Sequence, residues 1–166
     1  MTTLDDLKEA FAGESQANRR YLAYGMKAAD EGFPGVARLF RAVAAAETIH
    51  ALTHLKAMDG VASTAANLAD AMAGEKHEFT EMYPPMLARA EAEGNRKAAR
   101  SMRFALEVEK VHYELFEKAL AALTAGTDLA ATIVRVCPIC GHTVIGDAPD
   151  ACPVCGCKGD RFDEIA

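Results

Sequence analysis

Residues 102–123 read MRFALEVEKVHYELFEKALAAL, and within them Met102, Ala105, Glu109, His112, Phe116, Ala119 and Leu123 step by threes and fours along one helix face. Such a stripe faces a core, yet Glu109 and His112 interrupt it. Other long helical patterns repeat the anomaly. The first stripe runs Leu7, Phe11, Glu14, Asn18 and Tyr21; the second Phe40, Val43, Glu47, His50, His54 and Met58; the third Leu68, Ala71, Glu75, Glu78 and Met82. Each carries an acid near its middle.

Burying one unpaired carboxylate costs several kcal/mol, and a group of them also repel one another. No Lys or Arg shares those faces close to Glu14, Glu47, Glu75, Glu78 and Glu109. Two multivalent metal ions would neutralise them where side-chain ion pairs do not. Spacing makes the signal specific. A Glu-x-x-His pair presents both ligands from one helix face, and ferritin-like di-metal bundles use two such helices plus a single Glu from each of the other two. Here the pairs are Glu47/His50 and Glu109/His112, and the single acids are Glu14 and Glu75. Glu14 and Glu47 are 33 residues apart, Glu75 and Glu109 34, so two helical hairpins each donate half of the site. Glu78 shares the face but exceeds the four-helix rule. His54 and His77 read as ordinary helix residues, Glu107 as a solvated acid.

A different composition follows the last helix, which ends near Ala125 and Gly126. Cys137-Pro-Ile-Cys140-Gly141 is answered by Cys152-Pro-Val-Cys155-Gly156, with 11 residues between the knuckles. Two Cys-x-x-Cys turns build a tetrahedral sulfur cage for iron or zinc. A segment this small cannot bury enough core to fold alone, so metal binding supplies its folding free energy. Cys157 reads as a spare thiol.

The chain has 166 residues, 51% hydrophobic and 7% aromatic, with formal charge −6. No basic block invites nucleic acid, and no apolar run is long enough for a membrane helix. It begins Met1-Thr-Thr-Leu-Asp-Asp without a basic and apolar leader, which leads us to expect a cytoplasmic protein. Gly32-Phe33-Pro34 separates the first two helices, Asp59-Gly60 closes the second, Ser63 or Thr64 caps the third, and Glu93-Gly94-Asn95 breaks it from the fourth. Pro84-Pro85 should kink the third helix one turn beyond its ligands. The expected fold is mainly α: a ferritin-like four-helix bundle over 1–126, a linker over 127–134 and a small four-cysteine domain over 135–166.

The stretches Phe11-Ala-Gly-Glu14-Ser-Gln-Ala, Ala45-Ala-Glu47-Thr-Ile-His50-Ala, Gly74-Glu75-Lys-His-Glu78-Phe-Thr-Glu-Met-Tyr83-Pro84, Glu109-Lys-Val-His112 and the two knuckles resemble the rubrerythrins over essentially the whole length. The resemblance implies two non-haem irons in the bundle and a rubredoxin-like domain with one iron, for which zinc can substitute. It implies a peroxidase that reduces hydrogen peroxide to water in oxidative-stress defence. Electrons would come from NAD(P)H through a separate reductase, or from rubredoxin. Glu14, Glu47, His50, Glu75, Glu78, Glu109 and His112 become di-iron ligands, with Glu47 and Glu109 as bridges. Glu78 and His50 alternate on one iron as its oxidation state changes. Tyr21 and Tyr83 match aromatic positions beside the centre and join Glu78 as catalytic candidates; buried aromatics with satisfied hydroxyls are the other reading of the two tyrosines. Cys137, Cys140, Cys152 and Cys155 hold the single iron. His142 stands where such knuckles often have Tyr.

A ferroxidase or iron-storage bundle is the alternative function, and the four-cysteine module weighs against it. Chain length adds an expectation about assembly. With Asp59 ~18 Å past Glu47 and Ala65 ~15 Å before Glu75, parallel second and third helices need a link of ~33 Å, whereas six steps span at most ~22 Å. The expectation is a homodimer domain-swapped between helices 2 and 3.

Overall fold

In the computed structural model, residues 1–130 and 133–165 are described; the expected linker, 127–134, therefore lies partly outside them, as does the last residue of the expected four-cysteine domain. The chain divides into two compact units, Met1–Ala62 and Ser63–Ala166.

The first unit is a helical hairpin of α1 (Thr3–Asp30) and α2 (Pro34–Ala57). Thr2 opens α1 with a capping box, its side chain accepting from Asp5 N–H while Asp5 reaches back to the Thr2 backbone. Pro34 starts α2, where its missing N–H costs nothing. Ala37, Ala44 and Ala51 recur every seventh residue and are buried, as are Ala17, Asn18, Gly25 and Ala28 of α1. Small residues bring the helix backbones close: a Cβ on Gly25 would stand 3.4 Å from both the Ala37 carbonyl oxygen and Phe40 Cβ. Asn18 crosses this seam, donating from Nδ2 to Ala44 O at 2.6 Å and Thr48 Oγ1 at 2.8 Å. The closest packing thus runs along an Ala/Gly seam, and the acid-bearing stripe borders it.

The second unit starts with α3 (Thr64–His77), capped by Ser63 as expected. A π-helical turn, Glu78–Met82, leads into α4 (Tyr83–Ala92). After Gly94, Asn95 caps α5 (Arg96–Thr124). Phe79 meets Tyr113 edge to face at 6.0 Å, and Val108 is buried. The break in this helix begins at Glu78 itself, upstream of the expected kink. Pro84 and Pro85 cannot donate back along the helix and crowd the carbonyls four residues before them. A widened turn relieves both problems, with Tyr83 N–H donating to Glu78 O five residues back.

Three short strands complete this unit, β1 (Val134–Val136), β2 (Thr143–Ile145) and β3 (Asp163–Ile165), antiparallel in the order β2-β1-β3. Beside these strands Cys137, Cys152 and Phe162 form a small core. Among the described residues no helix is long and apolar enough to cross a membrane.

Candidate metal centres

The helices deliver the expected ligands as two clusters with nearly the same geometry. In the first unit α1 supplies Glu14 and α2 supplies Glu47 and His50; in the second, α3 supplies Glu75 and α5 supplies Glu109 and His112. Within each cluster the ligand atoms lie within 4.8 Å of one another. His50 Nδ1 is 2.8 Å from Glu47 Oε2 and 3.7 Å from Glu14 Oε1. His112 Nδ1 is likewise 2.8 Å from Glu109 Oε2 and 3.7 Å from Glu75 Oε1. Each cluster offers one metal two carboxylates and an imidazole, a donor set suited to iron, manganese or zinc.

Electrostatics agree that a cation belongs there. Among the described residues no Lys or Arg pairs with any of these acids; their ion-pair partners are histidines. Burial, and then the charge of Glu109, push Glu75 up to about 7. Glu78 is raised as well, by burial and by Glu109. Glu78 is not one of the three clustered ligands, but it feels the charge of Glu109. Tyr83 is raised by burial and then by Glu78, Glu109 and Glu75. The π turn explains this neighbourhood. In a regular α-helix the fifth residue on falls ~140° around from Glu78, whereas the widened turn, with Tyr83 N–H on Glu78 O, brings Tyr83 back towards the same side. Tyr21 instead joins an aromatic cluster, 6.3 Å from Tyr24 and 6.2 Å from Phe40.

One neighbour of the ligands has no sequence signal. Thr143, on β2, donates from Oγ1 to Gly141 O at 3.0 Å and stands 3.1 Å from His112 Nε2. Its single proton is committed to Gly141, so towards His112 it accepts, and Nε2 carries hydrogen. That leaves Nδ1, which faces Glu75 and Glu109, as the nitrogen free for a metal.

Cys137, Cys140, Cys152 and Cys155 form the third cluster, again within 4.8 Å. Sulfur separations of 3.6 Å (Cys137 to Cys155) and 3.5 Å (Cys140 to Cys152) are close to the ~3.8 Å that a tetrahedral ion with ~2.3 Å bonds requires. The knuckles are internal copies: Gly141 N–H donates to Cys137 O and Gly156 N–H to Cys152 O, both at 2.9 Å, and both glycines hold positive φ. Burial raises the Cys137 thiol, but hydrogen bonds from the Ile139 and Cys140 backbone outweigh it and bring Cys137 down to about 7. His142 is buried edge-on to Phe162 and stays out of the cage. Cys157 stays out too, its thiol reaching Lys158 O at 3.6 Å.

Comparison with known proteins agrees with both kinds of centre. Residues 5–120 match the family described as Rubrerythrin, and residues 136–163 match the rubrerythrin rubredoxin-like domain. Rubrerythrin-2 of Clostridium acetobutylicum is 36% identical over 96% of this chain and 95% of its own. Nigerythrin of Nitratidesulfovibrio vulgaris is 35% identical over 97% and 85%. The solved structure of nigerythrin in its fully reduced, all-ferrous state matches with a TM-score of 0.59 at 33% identity, covering 99% of this chain and 87% of that one.

Proposed function

Since the chain belongs to the rubrerythrin family of metal-binding oxidoreductases, we propose that it is a cytoplasmic di-iron peroxidase that reduces hydrogen peroxide to water, fed through an iron in its four-cysteine cage. The observation that carries this reading is the pairing, in one chain, of two matching carboxylate–histidine clusters with a closed four-sulfur cage. The paired clusters would hold two irons, which when bound would supply two electrons and positive charge for reduction of the O–O bond. Glu47 and Glu109, at 14% exposure the better buried carboxylates of their clusters, would be the acids shared between the irons. Glu78 would serve as a further carboxylate, alternating with His50 as a ligand. Tyr83, whose hydroxyl holds its proton more tightly than an ordinary tyrosine, donates a hydrogen bond to peroxide or to a ligand carboxylate. Four sulfurs leave the cage no open position, which suits one-electron relay. An NAD(P)H-dependent reductase or a rubredoxin supplies those electrons.

The bundle domain spans 1–126, the linker 127–134 and the four-cysteine domain 135–166, and the bundle closes by exchange between two chains. Ala57 lies ~15 Å past Glu47 and Thr64 ~16 Å before Glu75, while the seven steps joining Ala57 to Thr64 span at most ~25 Å. Bringing both clusters of one chain to a common level in parallel helices therefore overstretches the link. Leu39 and Ile49, 64% and 66% exposed, are apolar surface that a second chain would cover. In the swapped dimer Glu14, Glu47 and His50 of one chain meet Glu75, Glu78, Glu109 and His112 of the other.

The test is a single turnover. Iron-loaded protein, chemically reduced without air and mixed with peroxide, should lose two electrons per peroxide and release no oxygen. Slow peroxide consumption with rapid oxidation by air and accumulation of ferric mineral would favour the ferroxidase alternative.

A further inference from the structure

Cations crowd the start of α5. Arg96, Lys97, Arg100 and Arg103 are four of the eight residues from 96 to 103, with no acid among them, in a chain of net charge −6. Arg103 is paired with Glu91, and Arg100 lies over the Phe104 ring at 5.1 Å. Among the described residues no carboxylate forms an ion pair with Lys97 or Arg100. Like charges three and four apart on a helix cost stability, so these cations gain little locally beyond the contact of Arg100 with Phe104.

They line an open groove of about 470 Å³ with Phe104 on the same helix, and the opposite wall is Ile139 and Cys140 of the first knuckle. Cys140 is one of the four cage thiols, and Ile139 is 46% exposed. An apolar patch rimmed by unpaired cations, one wall of it a cage sulfur, has the anatomy of an electron-entry surface. The cations are too few for a nucleic-acid track, and a small anion would make no use of Phe104 and Ile139.

We propose that this groove docks an acidic one-electron donor protein, whose carboxylates pair with Lys97 and Arg100 while its redox centre approaches Cys140. The inference rests on the relay role proposed above for the cage. The donor gives up one electron and the cage iron passes from ferric to ferrous; no bond or proton changes. Steering by the two cations raises the encounter rate, most at low salt.

The test uses an acidic plant-type [2Fe–2S] ferredoxin as the probe. Reduced ferredoxin is mixed without air with full-length protein whose cage iron is ferric, and the second-order rate of cage reduction is followed by absorbance. Charge reversal in K97E/R100E should slow the reaction about tenfold or more at low ionic strength, with the gap closing at high salt. Reduction by dithionite should stay within about twofold of the original protein. In a separate arm, with zinc in the cage, the same substitutions should weaken binding of oxidised ferredoxin by a comparable factor. Should K97E/R100E lose dithionite reactivity as well, the neutral K97Q/R100Q protein replaces it, and a ferredoxin-specific loss is still required. Equal ferredoxin rates at low salt would overturn the proposal. So would a groove that binds inorganic phosphate through Lys97 and Arg100 while ignoring ferredoxin. Neither arm contains peroxide, so failure of the peroxidase reading leaves both interpretable.

Discussion

Removing a ligand should stabilise the metal-free protein, and the pH at which it does so identifies the group. Glu75 is pushed from the usual 4.5 up to about 7 by burial and by the charge of Glu109. The folded chain therefore holds a proton between those pH values that the unfolded chain has released. Ionising Glu75 costs nothing below pH 4.5; the penalty grows as pH rises and is complete above about 7. At ~1.4 kcal/mol per pH unit the ceiling is ~3.4 kcal/mol. A fifth of the side chain reaches solvent, and Glu109 shares the titration, which brings the expected effect to ~1–2 kcal/mol. Glu75→Gln cannot ionise. In urea melts with a chelator present, the Gln protein should exceed the original by ~1–2 kcal/mol at about pH 8 and match it at about pH 4.5. Differencing the two pH values cancels every group whose titration Glu75 does not influence. Adding zinc at the higher pH should invert the order, because only the original protein retains the full ligand set. A metal-free Gln variant no more stable relative to the original at the higher pH than at the lower would refute the reasoning.

Three further outcomes are expected. Cys140→Ser should abolish turnover fed by a reductase while sparing the reaction of chemically reduced protein with peroxide, measured by stopped flow; loss of both would end the division of labour between cage and bundle. Mixed dimers of Glu47→Ala and Glu109→Ala chains should recover activity in one of their two sites if the hairpins are exchanged, and verified heterodimers without recovery reject the exchange. Thr143→Val should weaken zinc binding at the Glu75/Glu109/His112 cluster by ~10–100-fold, because His112 loses the partner that fixes its ring, whereas Thr143→Ser should hold; equal affinities for Val and Ser would show that the contact does no orienting.

The two Glu-x-x-His pairs and the cysteine knuckles were legible because each is local: the helical period or a tight turn puts the ligands together. Helix ends were equally readable at Ser63, Gly94 and Asn95, where caps are short-range chemistry. The single acids Glu14 and Glu75 were recovered by phase along their own helices. Thr143 was not legible, because it reaches His112 across 31 positions in sequence and no periodicity relates a strand hydroxyl to a helical imidazole. The Ala/Gly seam of the hairpin escaped notice for another reason. Large apolar residues dominate any stripe drawn from hydropathy, whereas Ala37, Ala44 and Ala51 matter by being small. Prolines announced a disturbance near residue 84 but not its form, since a kink and a widened turn both answer a missing donor.

That widened turn amounts to one residue too many in an otherwise regular helix. Every side chain after Met82 is turned ~100° from where an uninterrupted α-helix would carry it. Anyone threading this segment onto a regular helical template, or grafting its ligands into a designed bundle, would keep Glu75 and Glu78 in place while swinging Tyr83 towards solvent. The insertion is part of the blueprint, to be copied along with the ligands.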